Sequence, residues 1–309
     1  MLIEIDPKVD YAFKRVFGHE KNKDLLIHLL NAVLDPPLGE AVAEVELLNP
    51  FSPKDAPHDK QTILDVRARD QGGRQFNVEM QMISHARFPQ RMLFYWADLH
   101  RQQLVEGEDY TKLRPTVSIC FLNDTLFPSV PEHHLTFRLL DQKHGVPFTD
   151  DIVVHLLEMP KFGLIAAGLS SPLDKWLYFL KHARELDDED VPVPLGTPEI
   201  RHAMEELKML GQTTIERINY ENRVKAMRDM AAHRETGYMD GHARGLAEGL
   251  VEGLAEGLAE GLADGELIGA IRTLQSVLNM PVTPQDQLRG MSTPELNALA
   301  EQLRERTGS

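Results

Sequence analysis

The sequence predicts an α/β protein in which a mixed sheet, in the order αβββαβ, precedes a helical C-terminal region with a glycine repeat. Segments with apolar residues at every second position alternate with segments whose apolar residues recur every three or four positions. The stretch PTVSICFLN is almost continuously apolar, which is typical of a strand buried on both faces. A sheet with helices packed on it follows from this alternation.

The first part of the chain supplies the core elements in order. A helical pattern over 8–34 is interrupted at Gly18 and ends at Pro36 and Pro37. After it, the patterns predict a strand over 41–51, a loop over 52–60, a hairpin of strands over 61–70 and 74–83, a helix over 88–105 and a strand over 115–123.

The later part is predicted to add strands and then helices. HLTFRLLD and IVVHLLEM have the composition of two further strands, and the His133–His134 doublet beside prolines is expected to lie in an exposed loop. DKWLYFLKHARE and PEIRHAMEELKML are predicted helices, separated by an acidic, proline-rich linker. We therefore divide the chain into a core domain over 1–165, a helical extension over 166–236, a repeat arm over 237–269 and a small helical tail over 270–309.

The repeat arm has a glycine at every fourth position from Gly237 to Gly269, and three of its tetrads are Gly-Leu-Ala-Glu. Each interior glycine costs a helix about 1 kcal/mol relative to alanine, so a flexible low-complexity arm is one interpretation. The other is a helical oligomerisation arm, in which small side chains let two helices approach closely. A period of four exceeds the 3.6-residue turn, so such helices would supercoil right-handedly. The tetrads fit neither G-x-G-x-x-G nor a P-loop, which excludes a nucleotide site of those kinds.

Composition points to a cytoplasmic protein without a membrane span. Of the 309 residues, 42% are hydrophobic and 26% are charged, and no run of about 18 uncharged apolar residues occurs. The N-terminus lacks the apolar segment of a secretory signal. A single cysteine, Cys120, excludes an internal disulfide framework and a cysteine-type zinc site.

The net charge of −15 argues against nucleic-acid binding only at first sight. Residues 1–125 carry 15 Lys and Arg against 19 Asp and Glu, whereas the remaining 184 residues carry 18 against 29. The front part is thus nearly neutral, and a local basic groove there is compatible with the total charge.

The stretch FNVEMQ, residues 76–81, places Glu79 inside a predicted strand. Phe76, Val78 and Met80 form its apolar face, so Asn77, Glu79 and Gln81 share the other.

If the hairpin turn centres on Gly72, Asp65 lies directly opposite Glu79 on the neighbouring strand. Like charges in such a pair are destabilising. Either both acids are solvated on an open face, with Arg67 relieving the repulsion, or a divalent cation lies between them.

A family resemblance accompanies this pair. Four short motifs occur in order: DYAFKRVFG at 10–18, Asp65 on a strand, Glu79-Met80-Gln81 at the next strand end, and Arg91 with Tyr95 on the following helix. In these motifs the chain resembles the PD-(D/E)XK nuclease superfamily, in particular the Rpn group of recombination-promoting nucleases and transposases. The resemblance covers roughly residues 5–125 and implies a restriction-endonuclease-like fold.

The resemblance implies a site as well as a fold. It makes Asp65 and Glu79 ligands of Mg²⁺ or another divalent cation, with the Met80 carbonyl as a third oxygen. Asp10 would reach the outer shell of the cation. Its alternatives are an acid favoured by the helix dipole at the N-terminus of its helix, or a partner of Lys14 one turn later.

Gln81 is where the chain departs from most of the superfamily, which has lysine there, although the Rpn group shares the glutamine. An amide orients by hydrogen bonds and offers no positive charge. Arg91 and Tyr95 project from one helix face. Arg91 would supply the missing positive charge, and Tyr95 would donate a hydrogen bond to a phosphate. The alternative is that Arg91 pairs with a surface acid and Tyr95 packs in the core.

From these residues we expect a metal-dependent DNA endonuclease associated with recombination or mobile elements, assembled as a homo-oligomer through the C-terminal arm. Two rival functions remain open. One is a nuclease-fold protein that binds DNA or a protein partner without useful chemistry. The other is a structural interaction protein whose function lies in the glycine arm.

Overall fold

The computed structural model of the protein describes residues 3–37, 39–48, 66–82, 87–187 and 189–306. The chain forms two compact units, Met1–Asp229 and Met230–Ser309.

Within the described residues of the first unit, six strands form one mixed sheet. They are β1 (Val45–Leu48), β2 (Val66–Asp70), β3 (Gln75–Gln81), β4 (Thr116–Leu122), β5 (His134–Arg138) and β6 (Ile152–Glu158). Their order across the sheet is β1-β2-β3-β4-β6-β5. The pairs β3–β4 and β4–β6 are parallel, whereas β1–β2, β2–β3 and β5–β6 are antiparallel. The predicted mixed sheet is confirmed, and the two later strands extend it.

The β2–β3 hairpin has the register that the sequence predicts. Residues equidistant from Gly72 face one another, as far as the pair Val66 and Val78. Asp70 builds the turn, because its Oδ1 accepts hydrogen bonds from the backbone N–H groups of Gly72 and Arg74, both at 2.9 Å. Gly73 has φ +85°, a conformation that side chains rarely adopt.

Helices cover both faces of this sheet. The helices α1 (Asp10–Phe17) and α2 (Lys23–Leu34) pack on the face formed by Phe76, Val78 and Met80. The helix α3 (Phe88–Arg101) packs on the opposite face, where Phe88 and Met92 meet Cys120 and Leu122. Side chains alternate along a strand, so every second residue of β3 and β4 lies under α3.

The helices α4 (Pro172–His182) and α5 (Pro198–Gln212) belong to the same core as α1 and α2. A capping box of Ser171 and Asp174 begins α4. The buried Trp176 packs edge-on against Phe17 of α1, with ring centroids 5.3 Å apart. The predicted helical extension and the sheet thus share one hydrophobic core.

The long helix α6 (Thr214–Val277) begins in the first unit and ends in the second, and the glycine tetrads lie within it. In the second unit, its C-terminal end packs with α7 (Gln285–Arg289) and α8 (Thr293–Arg306). Their shared core contains Ile268, Ile271, Leu288, Leu296, Ala300 and Leu303.

The prediction for the histidine doublet is wrong in part. His134 begins strand β5 and is half-buried, and its Nε2 lies 2.9 Å from Nδ1 of His155 on β6. Histidines beside prolines favour a loop when only the neighbouring residues are considered. The pairing of β5 with β6 overrides this preference and places His134 in the sheet.

Candidate active site beneath helix α3

The polar face of β3 is buried rather than solvated. Asn77 has no exposed surface and Glu79 is only 5% exposed, because α3 covers this side of the sheet. Trp96 of α3 donates from its indole N–H to the Thr116 carbonyl of β4 at 2.8 Å, which ties the helix to the sheet. Of the two alternatives for Glu79, the open, solvated face is therefore not the one found, since packing of α3 closes it.

The Glu79 carboxyl is buried, which makes its charged form unfavourable. Burial raises the pKa of the Glu79 carboxyl above its usual range, while a hydrogen bond from Asn77 and the charge of Arg91 act in the opposite direction. The Asn77 Nδ2 donates to Glu79 Oε1 at 2.9 Å. A buried carboxylate is stabilised by a cation or further donors, so the environment of Glu79 favours binding of positive charge.

Arg91 connects helix α3 to the end of strand β3. Its guanidinium donates to the Gln81 side-chain oxygen in a short hydrogen bond. Its Cζ lies 5.5 Å from the Phe88 ring centroid and 5.8 Å from that of Tyr95, so aromatic rings support the cation. Arg91 thus joins Gln81 and Tyr95 beside Glu79. Among the described residues, it forms no ion pair with a surface acid.

Asp65, the predicted partner of Glu79, lies outside the described residues. The hairpin is described as far as the Val66–Val78 pair, whose register is the predicted one. The opposition of Asp65 and Glu79 stays a prediction.

Asp10 is held elsewhere by an ion pair. It begins α1, on the sheet face opposite α3, and both of its carboxylate oxygens accept from Arg223 Nε at 2.7 Å. The neighbouring Tyr11 hydroxyl donates to Glu216 of α6 at 2.7 Å. The structure therefore connects Asp10 to α6 and does not group it with Glu79.

The donor chemistry beneath α3 fits a hard divalent cation. Among the residues that the structure describes, no three His, Cys, Asp or Glu side chains are grouped to hold a metal ion. The Glu79 carboxylate nevertheless offers an oxygen ligand. The Asn77 amide oxygen beside it is a buried acceptor without a hydrogen-bond partner in the described structure. The side chain of Met80 lies in the core on the other face, so only its carbonyl is compatible with the predicted ligand role.

Sequence reasoning missed a buried polar layer. The Oε1 of Gln75, the Oδ1 of Asn77 and the Oγ of Ser118 are buried on the α3 side of β3 and β4, and the described residues provide none of them with a hydrogen-bond partner. Period two already places Gln75 and Asn77 on the face of Glu79. The parallel pairing with β4, which adds Ser118, has no local signal in the sequence.

Comparison with known proteins gives a family match for most of the chain. A family model described as PD-(D/E)XK nuclease family transposase matches residues 7–237. Comparisons with curated proteins and with solved structures give no match. In the described part of the chain, no helix combines the length and apolarity needed to cross a bilayer.

Proposed function

Because the chain belongs to the PD-(D/E)XK nuclease family transposases, we propose that it is a metal-dependent endonuclease that hydrolyses phosphodiester bonds of DNA during recombination or transposition. The observation that carries this proposal is the buried Glu79 carboxylate, which lies at the end of β3 with Gln81 and Arg91 beside it. Membership of the family accounts for a nuclease fold linked to transposition. Metal dependence and DNA cleavage are our proposal.

Asp65, Glu79 and the Met80 carbonyl would hold Mg²⁺ or another divalent cation in this proposal. When bound, the cation supplies an activated water and neutralises charge that develops on the phosphate. Pairing with Cys120 of β4 holds Glu79 in the sheet, and α3 keeps bulk water away from its carboxylate. A dry environment strengthens each electrostatic contact that Glu79 makes.

Gln81 and Arg91 would together replace the lysine that most of the superfamily has. The Arg91 guanidinium fixes the Gln81 amide by donating to its oxygen. Its positive charge also acts on Glu79 and lowers the pKa of that carboxyl, against the effect of burial. We propose that Arg91 supplies the charge near the attacked phosphate and that the Tyr95 hydroxyl supplies a hydrogen bond to it.

For Asp10 the ion pair with Arg223 favours the structural alternative. A role in the outer shell of the cation requires Asp10 to leave this partner on α6 and to reach Glu79 from the opposite face of the sheet. Asp10 is therefore a secondary candidate for the outer shell of the cation. The energetic coupling between Asp10 and Arg223 distinguishes this role from a purely structural one.

The arm would bring copies of the chain together. Within the second unit, the leucines that follow successive tetrad glycines are largely exposed: Leu246, Leu250, Leu254, Leu258 and Leu262 are between 63% and 70% exposed. Space around the tetrad glycines is open, because a methyl group at any of them meets no described atom within 4 Å beyond its own stretch of helix. Burying a leucine contributes about 1.5–3 kcal/mol, so a second arm covering this face would offset the helix cost of the glycines. Such a homo-oligomer would let two active sites act on the two strands of DNA.

The test is cleavage of supercoiled plasmid with Mg²⁺ and with a chelator. We expect nicking by the parent protein only with Mg²⁺, and its loss in Asp65→Ala and Glu79→Ala. Glu46→Ala is the matched control, because Glu46 is an exposed strand acid that pairs with Arg69 at 2.5 Å. Equal nicking by all four proteins would contradict the assigned site.

The second candidate function is a nuclease-fold module that binds DNA or a protein partner without cleaving. Glutamine at position 81 and the acidic total charge favour it. This function predicts binding of a DNA duplex that is unchanged by Mg²⁺ and no nicking at any cation concentration.

A further inference from the structure

We propose that Asn77 is a positioning residue that restricts Glu79 to a single oxygen toward the bound cation, and that it thereby favours Mg²⁺ over Ca²⁺. The inference rests on the proposed function, because it concerns the same cation site. It assigns a role to a residue that no motif in the chain identifies.

The contact between the two side chains is the first support. Asn77 and Glu79 are two residues apart on β3 and lie on the same face. The Asn77 Nδ2 donates to Glu79 Oε1 at 2.9 Å, and both residues are buried beneath α3. A hydrogen bond to a carboxylate is roughly twice as strong as one between neutral groups, so this contact holds the carboxyl group in one rotation.

The orientation of the amide is the second support. With Nδ2 directed at Glu79, the Asn77 Oδ1 is buried and finds no hydrogen-bond partner among the described residues. Turning the amide over would place Oδ1 against a carboxylate oxygen, where two acceptors repel. The unpaired Oδ1 costs on the order of 1–3 kcal/mol. A buried acceptor of this kind commonly receives a hydrogen bond from an ordered water, such as one in the shell of a cation.

The coordination preferences of the two ions explain how the Asn77–Glu79 contact would favour Mg²⁺ over Ca²⁺. Since Oε1 accepts from Asn77, Oε2 would be the oxygen offered to a cation. Mg²⁺ requires near-ideal octahedral geometry and keeps several waters, so a carboxylate that offers one oxygen suits it. Ca²⁺ takes six to eight oxygens and accepts both oxygens of one carboxylate. Removing the Asn77 amide releases Oε1 and favours the larger ion.

The experiment compares full-length parent, Asn77→Leu and Gln75→Leu. Gln75 is the matched control, because it is a buried amide on the same face of β3, two residues before Asn77. Calorimetry gives the dissociation constants for Mg²⁺ and Ca²⁺. We expect the ratio of the Ca²⁺ constant to the Mg²⁺ constant to fall about tenfold in Asn77→Leu and to stay unchanged in Gln75→Leu.

A spectroscopic measurement checks the geometry directly. Luminescence lifetimes of bound Tb³⁺ in H₂O and D₂O count the waters on the ion. We expect about one water fewer in Asn77→Leu, because the second oxygen of Glu79 displaces it. If Asn77→Leu does not fold, Asn77→Ser removes the same amide with a smaller change, and the same results are expected.

Two outcomes separate this inference from the proposed function. If the parent binds Mg²⁺ through Glu79, but the ratio and the water count are equal in parent and Asn77 variants, the role of Asn77 is wrong and the metal site stands. If the parent binds neither ion, or binds them equally well after Glu79→Ala, the proposed function fails and the inference fails with it.

Discussion

The position of the Glu79 carboxyl favours binding of a cation but lowers the stability of the protein without one. It is buried with one hydrogen bond from Asn77, and burial raises the pKa of this carboxyl. Sites of this kind commonly reduce stability in return for function.

Glu79→Gln should therefore stabilise the protein when no divalent cation is present. The amide keeps the shape of the side chain and removes the cost of burying charge, so we expect the free energy of unfolding to rise by about 1 kcal/mol. Thermal unfolding in a chelator measures this. Mg²⁺ should raise the melting temperature of the parent and leave the variant unchanged, because only the parent binds the ion. A variant that is less stable in the chelator would contradict this account.

The His134–His155 pair makes stability depend on pH. Burial lowers the pKa of His155 to about 4, and neighbouring charges act in the same direction. The unfolded chain, with a histidine pKa of about 6.5, takes up the proton first. Neutral His155 therefore makes its full contribution to the free energy of unfolding above pH 6.5. This contribution, about 3 kcal/mol at most, is lost as the pH falls to 4.

Replacing this histidine should flatten the pH dependence. We expect His155→Leu to lose less stability than the parent between pH 6.5 and pH 4 in urea unfolding. His144→Leu is the control, because His144 is exposed on the turn that follows β5. Equal slopes for parent and His155→Leu would show that the buried pair does not determine this dependence.

At this scale, the sequence predicts which side chains share a face better than it predicts their burial. Period two correctly groups Asn77, Glu79 and Gln81. The burial of Glu79 arises from α3, whose packing depends on contacts between segments distant in sequence. The pairing of His134 with His155 has the same origin, since β5 meets β6 only in the folded sheet.

Among the elements, the β2–β3 hairpin is the one whose geometry is most fully determined locally. Its turn contains Asp70, which accepts from two backbone N–H groups, and Gly73 with positive φ. These residues fix the register that the sequence alone predicts. The sheet order beyond β3 is not local, because parallel neighbours are joined through α3 and through β5.

Helices α1 and α6 meet through charged and hydroxyl groups within the first unit. Asp10 and Arg223 form the ion pair, and Tyr11 contacts Glu216 nearby. A structural Asp10 predicts coupling in a double-mutant cycle: Asp10→Ala and Arg223→Ala should each destabilise the protein, and the double variant should lose about 0.5–1 kcal/mol less than the sum. Urea unfolding measures the three values.

The same variants decide the other role of Asp10. Plasmid nicking should be equal in Asp10→Ala and Arg223→Ala if Asp10 only joins the helices. Additive stabilities, together with loss of nicking in Asp10→Ala alone, would instead support a place for Asp10 near the cation.

At the scale of the whole molecule, the glycines of the arm lower its helix propensity but would let copies of the chain approach closely. Replacing Gly249, Gly253 and Gly257 by alanine should favour the helix by about 3 kcal/mol in total. If copies of the chain approach at these glycines, the added methyl groups should hold them apart. We therefore expect the triple variant to be at least as helical by circular dichroism and to form smaller species by light scattering.

Serine at Ala247, Ala255 and Ala259 provides the control, because these residues lie on the opposite side of the helix from the glycines. Its assembly should match that of the parent. Unchanged or stronger assembly in the glycine-to-alanine variant would show that the copies do not meet at the glycines.

The tetrad period also governs how the arm tolerates changes in its length. Each tetrad lengthens a helix by about 6 Å and turns its pattern by about 40°. Gaining or losing a whole tetrad leaves every glycine, leucine and acid beside the same kinds of neighbours, whereas a single inserted residue rotates everything beyond it by about 100°. Unequal copying of the repeat unit in the gene can therefore shorten or extend this segment by whole steps while its surface pattern is inherited intact.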